Sequence, residues 1–280
     1  MPLNIGIGNT ERVRRLLRSP ARWIGAGFAV YAAALALLWW GQERLLFVPQ
    51  VLPASHHFDF GADVHERRVE VDGASLHLLH LKLPAPRGVV FYLHGNAGNL
   101  AGWFVNAELY RRANFDLVML DYRGYGKSSG HIESEAQLHA DVRAVWDSIA
   151  RDYAGKPRVL IGRSLGTGLA ASLAAQVQPE LTILVAPYLS MQALAAEHYP
   201  WVPGALLRYR LRTDQAVVQL RNALLLVHGE RDELIAPWHS QALHRLQPRA
   251  HLQLVAGAGH NDLQDFDAYH AAIREALAGR

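Results

Sequence analysis

Cysteine is absent from this chain, which excludes disulfides, thiolate metal sites and a cysteine nucleophile. Lysine is scarce beside arginine, and no Lys/Arg stripe with interleaved aromatics occurs. Nucleic acid is therefore not an expected partner, despite a net charge of +3 and a pI near 9.3. No Lys-Ser/Thr follows a glycine-rich loop at the spacing of a phosphate cradle. His56-His57 lacks acidic partners at ligand spacing, so it reads as solvated loop and no metal is expected. Internal repeats and low-complexity tracts are missing too.

What remains is 280 residues, half of them hydrophobic and 19% charged, enough for one or two domains with a large core. The longest uncharged run is Trp23–Gly41. As a helix it would span roughly 28 Å, about the hydrocarbon thickness of a bilayer. Tryptophans stand at both ends, and Arg12, Arg14, Arg15, Arg18 and Arg22 precede it. The positive-inside rule keeps residues 1–22 cytoplasmic and sends the chain after Gln42 across the membrane. Two tryptophans where small cleavage-site residues belong argue against a signal peptide. The arginine and alanine bias fits a GC-rich bacterial genome, so the expected location is the inner membrane, with the larger part facing the periplasm.

Residues 42–62, with Pro49 and Pro53 and no sustained period, read as a connector. His65–Val71 and Ala74–Leu83 alternate around Asp72-Gly73, which predicts an antiparallel hairpin. Short unbroken apolar runs follow: Val89–Leu93, Leu117–Leu120, Val159–Ile161, Leu181–Val185, Leu224–Val227 and Leu252–Val255. Helical stretches separate them at Leu100–Arg112, Glu135–Ala150, Leu165–Ala175, Pro237–Leu246 and Leu263–Ala278. That alternation predicts one α/β domain over residues 63–280, with a mostly parallel sheet covered on both faces.

Chemistry is concentrated in loops after strands. Gly162-Arg163-Ser164-Leu165-Gly166 lies between a buried strand and a small-residue helix, the context of a G-x-S-x-G nucleophile elbow. Ser164 needs a base to take its proton. His260, in the glycine-rich turn after the last strand, is the expected base. Asp232, after the preceding strand, is the expected acid, with Glu230, Glu233, Asp262 and Asp265 as rival carboxylates. The order Ser164, Asp232, His260 is that of this strand-turn-helix machinery. His94–Asn99 follows another strand, where a second oxyanion donor belongs. The backbone N–H groups of Asn96 and Leu165 are the candidates, and Asn99 also suits a helix cap.

With these residues assembled, the chain resembles the α/β-hydrolase superfamily, and more narrowly its membrane-anchored serine hydrolases. The motifs are HGNAGN (His94–Asn99), DYRGYGKSSG (Asp121–Gly130), G-x-S-x-G, HG-x-x-D (His228–Asp232) and GxxH (Gly257–His260). The resemblance implies a Ser-His-Asp hydrolase acting on a small or lipid-like ester or thioester, with no metal or organic cofactor. Some relatives remove acyl groups from lipidated cysteines, but those carry a cysteine-rich N-terminus that this chain lacks. Residues 186–222 match the position of a cap insert. Met191, Leu194, Tyr199, Trp201, Val202, Leu206, Leu207 and Tyr209 either line an acyl pocket or pack the insert down. Peptide or amide hydrolysis, and a catalytically silent tethered scaffold, are the alternatives.

Overall fold

The computed structural model describes residues 20–280. They fall into two compact units, the first ending at Gln42 and the second comprising Glu43–Arg280. In the first, helix α1 (Pro20–Trp40) is long and apolar enough to cross a membrane over Arg22–Trp40. Gly41, the expected last residue of the span, already lies in a turn. Arg12, Arg14, Arg15 and Arg18 lie outside the described residues.

Helix α2 (Gln42–Leu46) comes next, and the second unit carries eight strands in one sheet: β1 (Val64–Val71), β2 (Ala74–Leu81), β3 (Gly88–Leu93), β4 (Phe115–Leu120), β5 (Arg158–Arg163), β6 (Leu181–Val185), β7 (Ala223–Gly229) and β8 (His251–Val255). Their order across the sheet is β8-β7-β6-β5-β3-β4-β2-β1. Only β2 runs opposite to the other seven strands, paired antiparallel with β1 through the turn at Gly73 and with β4 on its other side. The alternation over Ala74–Leu83 implied a single apolar face, which Leu76 and Leu78 supply. In the structure both faces are covered, because Leu79 and Leu81 join the opposite core layer.

Helices α3 (Leu100–Trp103) and α4 (Ala107–Ala113), split by a 3-10 turn where one helix was expected, follow β3. Next come α5 (Glu135–Ala150), α6 (Leu165–Val177), α7 (Met191–His198), α8 (Thr213–Val217), α9 (Trp238–Leu246) and α10 (Asp267–Ala278). Ser134 caps α5 by accepting from Gln137 N–H at 3.1 Å, a contact typically worth about 1 kcal/mol. Trp146 of α5 and Leu169 of α6 cover one sheet face, while Tyr110 of α4 and Ile273 of α10 cover the other.

This topology positions the site. Strand β3 lies between β4 and β5, so the chain leaves the sheet in opposite directions on either side of it. Crevices at the carboxyl ends of such strands are where open α/β sheets bind ligands. The HGNAGN loop follows β3 and the Ser164 elbow follows β5.

The connector departs from its expected form. Val48-Pro49 pairs in parallel with Ala97-Gly98, and Val51 bridges Gly126. Gln50 donates its N–H to Gly98 O at 3.0 Å and accepts from Gly126 N at 3.0 Å. Residues 47–52 are thus a strap laid between two loops of the site. With two prolines and no period, their pairing was invisible to pattern reading.

Candidate active site

Ser164 is held on a strained turn. Its φ of 51° and ψ of −120° lie in a region that non-glycine residues rarely occupy. The strain is offset by surrounding bonds: Ser164 N–H donates to Val185 O at 2.9 Å, and Thr167 Oγ1 donates to Ser164 O at 2.6 Å. Two flanking glycines are required by contact. A Cβ on Gly162 would sit 2.5 Å from Gly166 O, and one on Gly166 would collide with Leu93 O. Strand, elbow helix and the end of β3 therefore meet backbone to backbone.

His260 and Asp232 converge on this serine from two other loops. His260 Nε2 lies 3.0 Å from Ser164 Oγ, and His260 Nδ1 lies 2.7 Å from Asp232 Oδ2. The other carboxylate oxygen, Oδ1, accepts the N–H groups of Leu234 and Ile235 at 3.0 and 2.7 Å. Asp232 thus fixes its own turn with one oxygen and the imidazole with the other. Burial would push its pKa up, but hydrogen bonds from His228, His260 and Ile235 outweigh that and hold it well below the usual carboxylate range. Of the rival carboxylates, Asp262 accepts Gly259 N–H at 2.7 Å and so braces the His260 turn itself.

Above the elbow, the amides of Leu165 and Asn96 have no protein acceptor among the described residues. Gly95 brings the HGNAGN loop close, since a Cβ there would lie 3.7 Å from Ser164 Cβ. His94 Nδ1–H donates to Gly95 O at 2.7 Å. The planar trans peptide then turns the Asn96 N–H away from that histidine. Asn99 caps α3 through Ala101 N–H at 2.9 Å, as its sequence position suggested.

Several residues that act on this site were not singled out by sequence. Tyr125 O–H and Val48 N–H both donate to Asn96 O, at 2.6 and 2.9 Å. Tyr122 O–H donates to His94 O at 2.9 Å. The DYRGYG loop that carries both tyrosines is itself anchored by a buried pair, Arg123 to Asp141 at 2.6 and 2.8 Å. His228 Nε2 donates to Ile235 O at 2.7 Å and stands 3.3 Å from Asp232 Oδ2. Arg163, the variable residue of the elbow, donates to His260 O at 3.0 Å and to Gln264 Oε1. The motifs containing these residues were visible; their direction of reach was not.

In the cap insert, Tyr209 and Met191 pack into the core, whereas Tyr199 and Trp201 remain substantially exposed. Tyr209 O–H donates to Glu43 Oε1 at 2.9 Å and its ring packs edge-on against Phe47. For Tyr209 and Met191 the packing reading therefore holds. No group of three or more His, Asp or Glu side chains suited to a metal occurs among the described residues.

Eight strands in this order, with a serine elbow at the switch point, define the α/β-hydrolase fold. The family described as serine aminopeptidase, S33 (Hydrolase_4) matches residues 84–213. Over 201 residues the chain is 30% identical to alpha/beta hydrolase domain-containing protein 17C of Xenopus tropicalis, covering 70% of this chain and 63% of that protein. The Homo sapiens protein of the same name is also 30% identical, with 59% of it covered. The chain thus spans about three-fifths of the length of these relatives. Among solved structures, an esterase of Pyrococcus furiosus superposes with a TM-score of 0.65 at 16% identity, covering 83% of this chain and 97% of that one. The thioesterase domain from the curacin biosynthetic pathway gives 0.58 at 19% identity, covering 78% and 99%. The chain has the α/β-hydrolase fold and is similar in sequence to α/β-hydrolase domain-containing proteins.

Proposed function

We propose that this protein cleaves carboxylic esters or thioesters through an acyl-enzyme on Ser164, with His260 as general base and Asp232 as its orienting acid. The observation that carries the reading is the continuous chain Ser164 Oγ to His260 Nε2 at 3.0 Å and His260 Nδ1 to Asp232 Oδ2 at 2.7 Å. His260 Nε2 takes the Ser164 proton as Oγ attacks the substrate carbonyl. The negative charge then develops on the carbonyl oxygen, where the Leu165 and Asn96 N–H groups receive it. His260 returns the proton to the departing alcohol or thiol. A water molecule, deprotonated by the same imidazole, attacks the acyl-enzyme and releases the acid. Throughout, Asp232 stays ionised, holds the Nδ1–H tautomer and stabilises the imidazolium.

Esterase and thioesterase neighbours favour oxygen or sulfur leaving groups. The family description, serine aminopeptidase, favours an amide as the second reading. A panel of matched ester, thioester and amide substrates separates them. The expected result is turnover of ester or thioester at least about 100-fold faster than of amide, abolished in Ser164→Ala. Amide turnover at or above the ester rate would replace the first reading by the second. No turnover of any member would favour the silent scaffold.

The α1 helix is proposed as an uncleaved anchor, with the N-terminus cytoplasmic and the hydrolase unit extracytoplasmic. Its support is the apolar span Arg22–Trp40 and the arginines before it. Protease added outside sealed spheroplasts should digest the hydrolase unit; full protection would reverse the orientation.

A further inference from the structure

Beside the triad lies a cavity of about 330 Å³ whose lining includes Tyr92, Trp103, Tyr110, Arg163, Gln264 and Tyr269, but not Ser164, Leu165 or His260. Its volume is at the lower end of the roughly 300–1,000 Å³ typical of small-molecule sites. The wall is chemically unusual. Arg163 is 7% exposed, yet among the described residues it forms no ion pair with a carboxylate. Its hydrogen bonds go to neutral oxygens, the carbonyl of His260 and the amide of Gln264, and the Tyr92 hydroxyl also lies within its reach. Its guanidinium also lies over the Trp103 ring, 5.3 Å from the centroid, which offers only a quadrupole as counter-charge.

Buried charges are ordinarily paired, because an uncompensated one costs several kcal/mol or more. Nearly every other buried ionisable group here obeys that rule: Arg123 has Asp141, and Asp232 has two imidazoles. A guanidinium has five N–H donors in a planar fork, so these three contacts still leave Arg163 with donors to spare. Three phenols share the cavity wall with it. Burial pushes the hydroxyls of Tyr92, Tyr110 and Tyr269 up, so they are protonated and able to donate at neutral pH. Nothing on this wall is anionic; the lining has no Asp or Glu.

We infer that this cavity binds a small monocarboxylate, separately from the acyl path at Ser164, with Arg163 and the tyrosine hydroxyls receiving the carboxylate. One planar guanidinium matches a carboxylate's two oxygens, whereas a phosphate dianion would leave a charge unneutralised. The indole of Trp103 and the side chains of Val105 and Met119, also in the lining, give a short apolar tail a place to rest. Because Arg163 also holds the His260 carbonyl, the ligand would sit one side chain away from the base. A carboxylic acid released by the enzyme and one supplied from elsewhere share this chemistry.

Calorimetric titration of full-length protein in neutral detergent, with butyrate, acetate and inorganic phosphate as separate probes, tests the site directly. Ser164→Ala protein serves as the parent, so that no turnover contributes heat. Saturable binding of butyrate, tighter than acetate and phosphate, is expected. Arg163→Gln should weaken it at least about 10-fold by removing a charge-assisted contact. Should that variant fold poorly, Tyr110→Phe and Tyr269→Phe each remove one hydroxyl and should weaken binding about 2- to 10-fold. Absence of saturable carboxylate binding, equal affinity in these variants, or tighter binding of phosphate would each overturn the assignment. Adding butyrate to wild type during ester turnover distinguishes the sources. Inhibition that raises apparent KM alone would place the acid in the acyl path and contradict a separate site; a fall in kcat at unchanged KM agrees with one.

Discussion

Two buried charges stand at the carboxyl end of the sheet, both in contact with His260, and the fold treats them in opposite ways. Asp232, on the loop after β7, is saturated: two backbone N–H groups on one oxygen, His260 on the other, and His228 beside it. Arg163, at the end of β5, receives only neutral oxygens and an aromatic face. The first arrangement suits a charge that must stay fixed through the proposed reaction cycle, with nothing to reorganise as an imidazolium forms. The second leaves donors unspent beside a cavity. The difference teaches where chemistry is preorganised and where a ligand's charge can be accommodated.

The largest effect should come from breaking the saturated side. Asp232→Asn keeps the shape but loses the tautomer control, and kcat for the ester should fall by about 10⁴-fold. A loss under 10-fold would move the acid's role to another carboxylate. The same substitution carries a stability signature. Because the native pKa of Asp232 is depressed, its contribution is fully present above about pH 4 and disappears as pH falls through the native value. The Tm difference between wild type and Asp232→Asn should therefore persist at pH 5 and shrink only in strong acid. A difference that vanished between pH 6 and 5 would mean the carboxylate is not held low.

Next in size is the open side. Arg163→Gln removes the tether on the His260 carbonyl without touching the proton-transfer atoms, and should lower kcat by about 10- to 100-fold through misplacement of the base. A loss as large as that of Asp232→Asn would erase the distinction between the two charges. The smallest effect concerns the oxyanion loop. Tyr125→Phe removes the 2.6 Å bond to Asn96 O and should lower kcat about 3- to 10-fold with KM unchanged. A change in KM alone would assign Tyr125 to substrate binding instead.

Much of this organisation was legible in the sequence because it is local. Helix α5 runs over Glu135–Ala150 and β6 over Leu181–Val185, the limits expected from the alternation of apolar and helical stretches. The loops bearing Ser164, Asp232 and His260 were legible because glycines and chain order constrain them. What escaped was long-range. The pairing of Val48 with Ala97 has no pattern in a stretch with two prolines. Arg163 reaches across nearly a hundred positions to His260, and no local signal says which way its side chain leaves the strand. Met191 and Tyr209, equally apolar as Tyr199, pack inward because the chain around them returns to the core, while Tyr199 sits at the end of α7.

The central claim is that Ser164 is the acyl acceptor. It is tested most directly by reacting the full-length protein with a fluorophosphonate and locating the adduct by peptide mass spectrometry. The account predicts one adduct per chain, on the peptide carrying Ser164, and none in Ser164→Ala. An adduct on another residue, or labelling that survives Ser164→Ala, would contradict it.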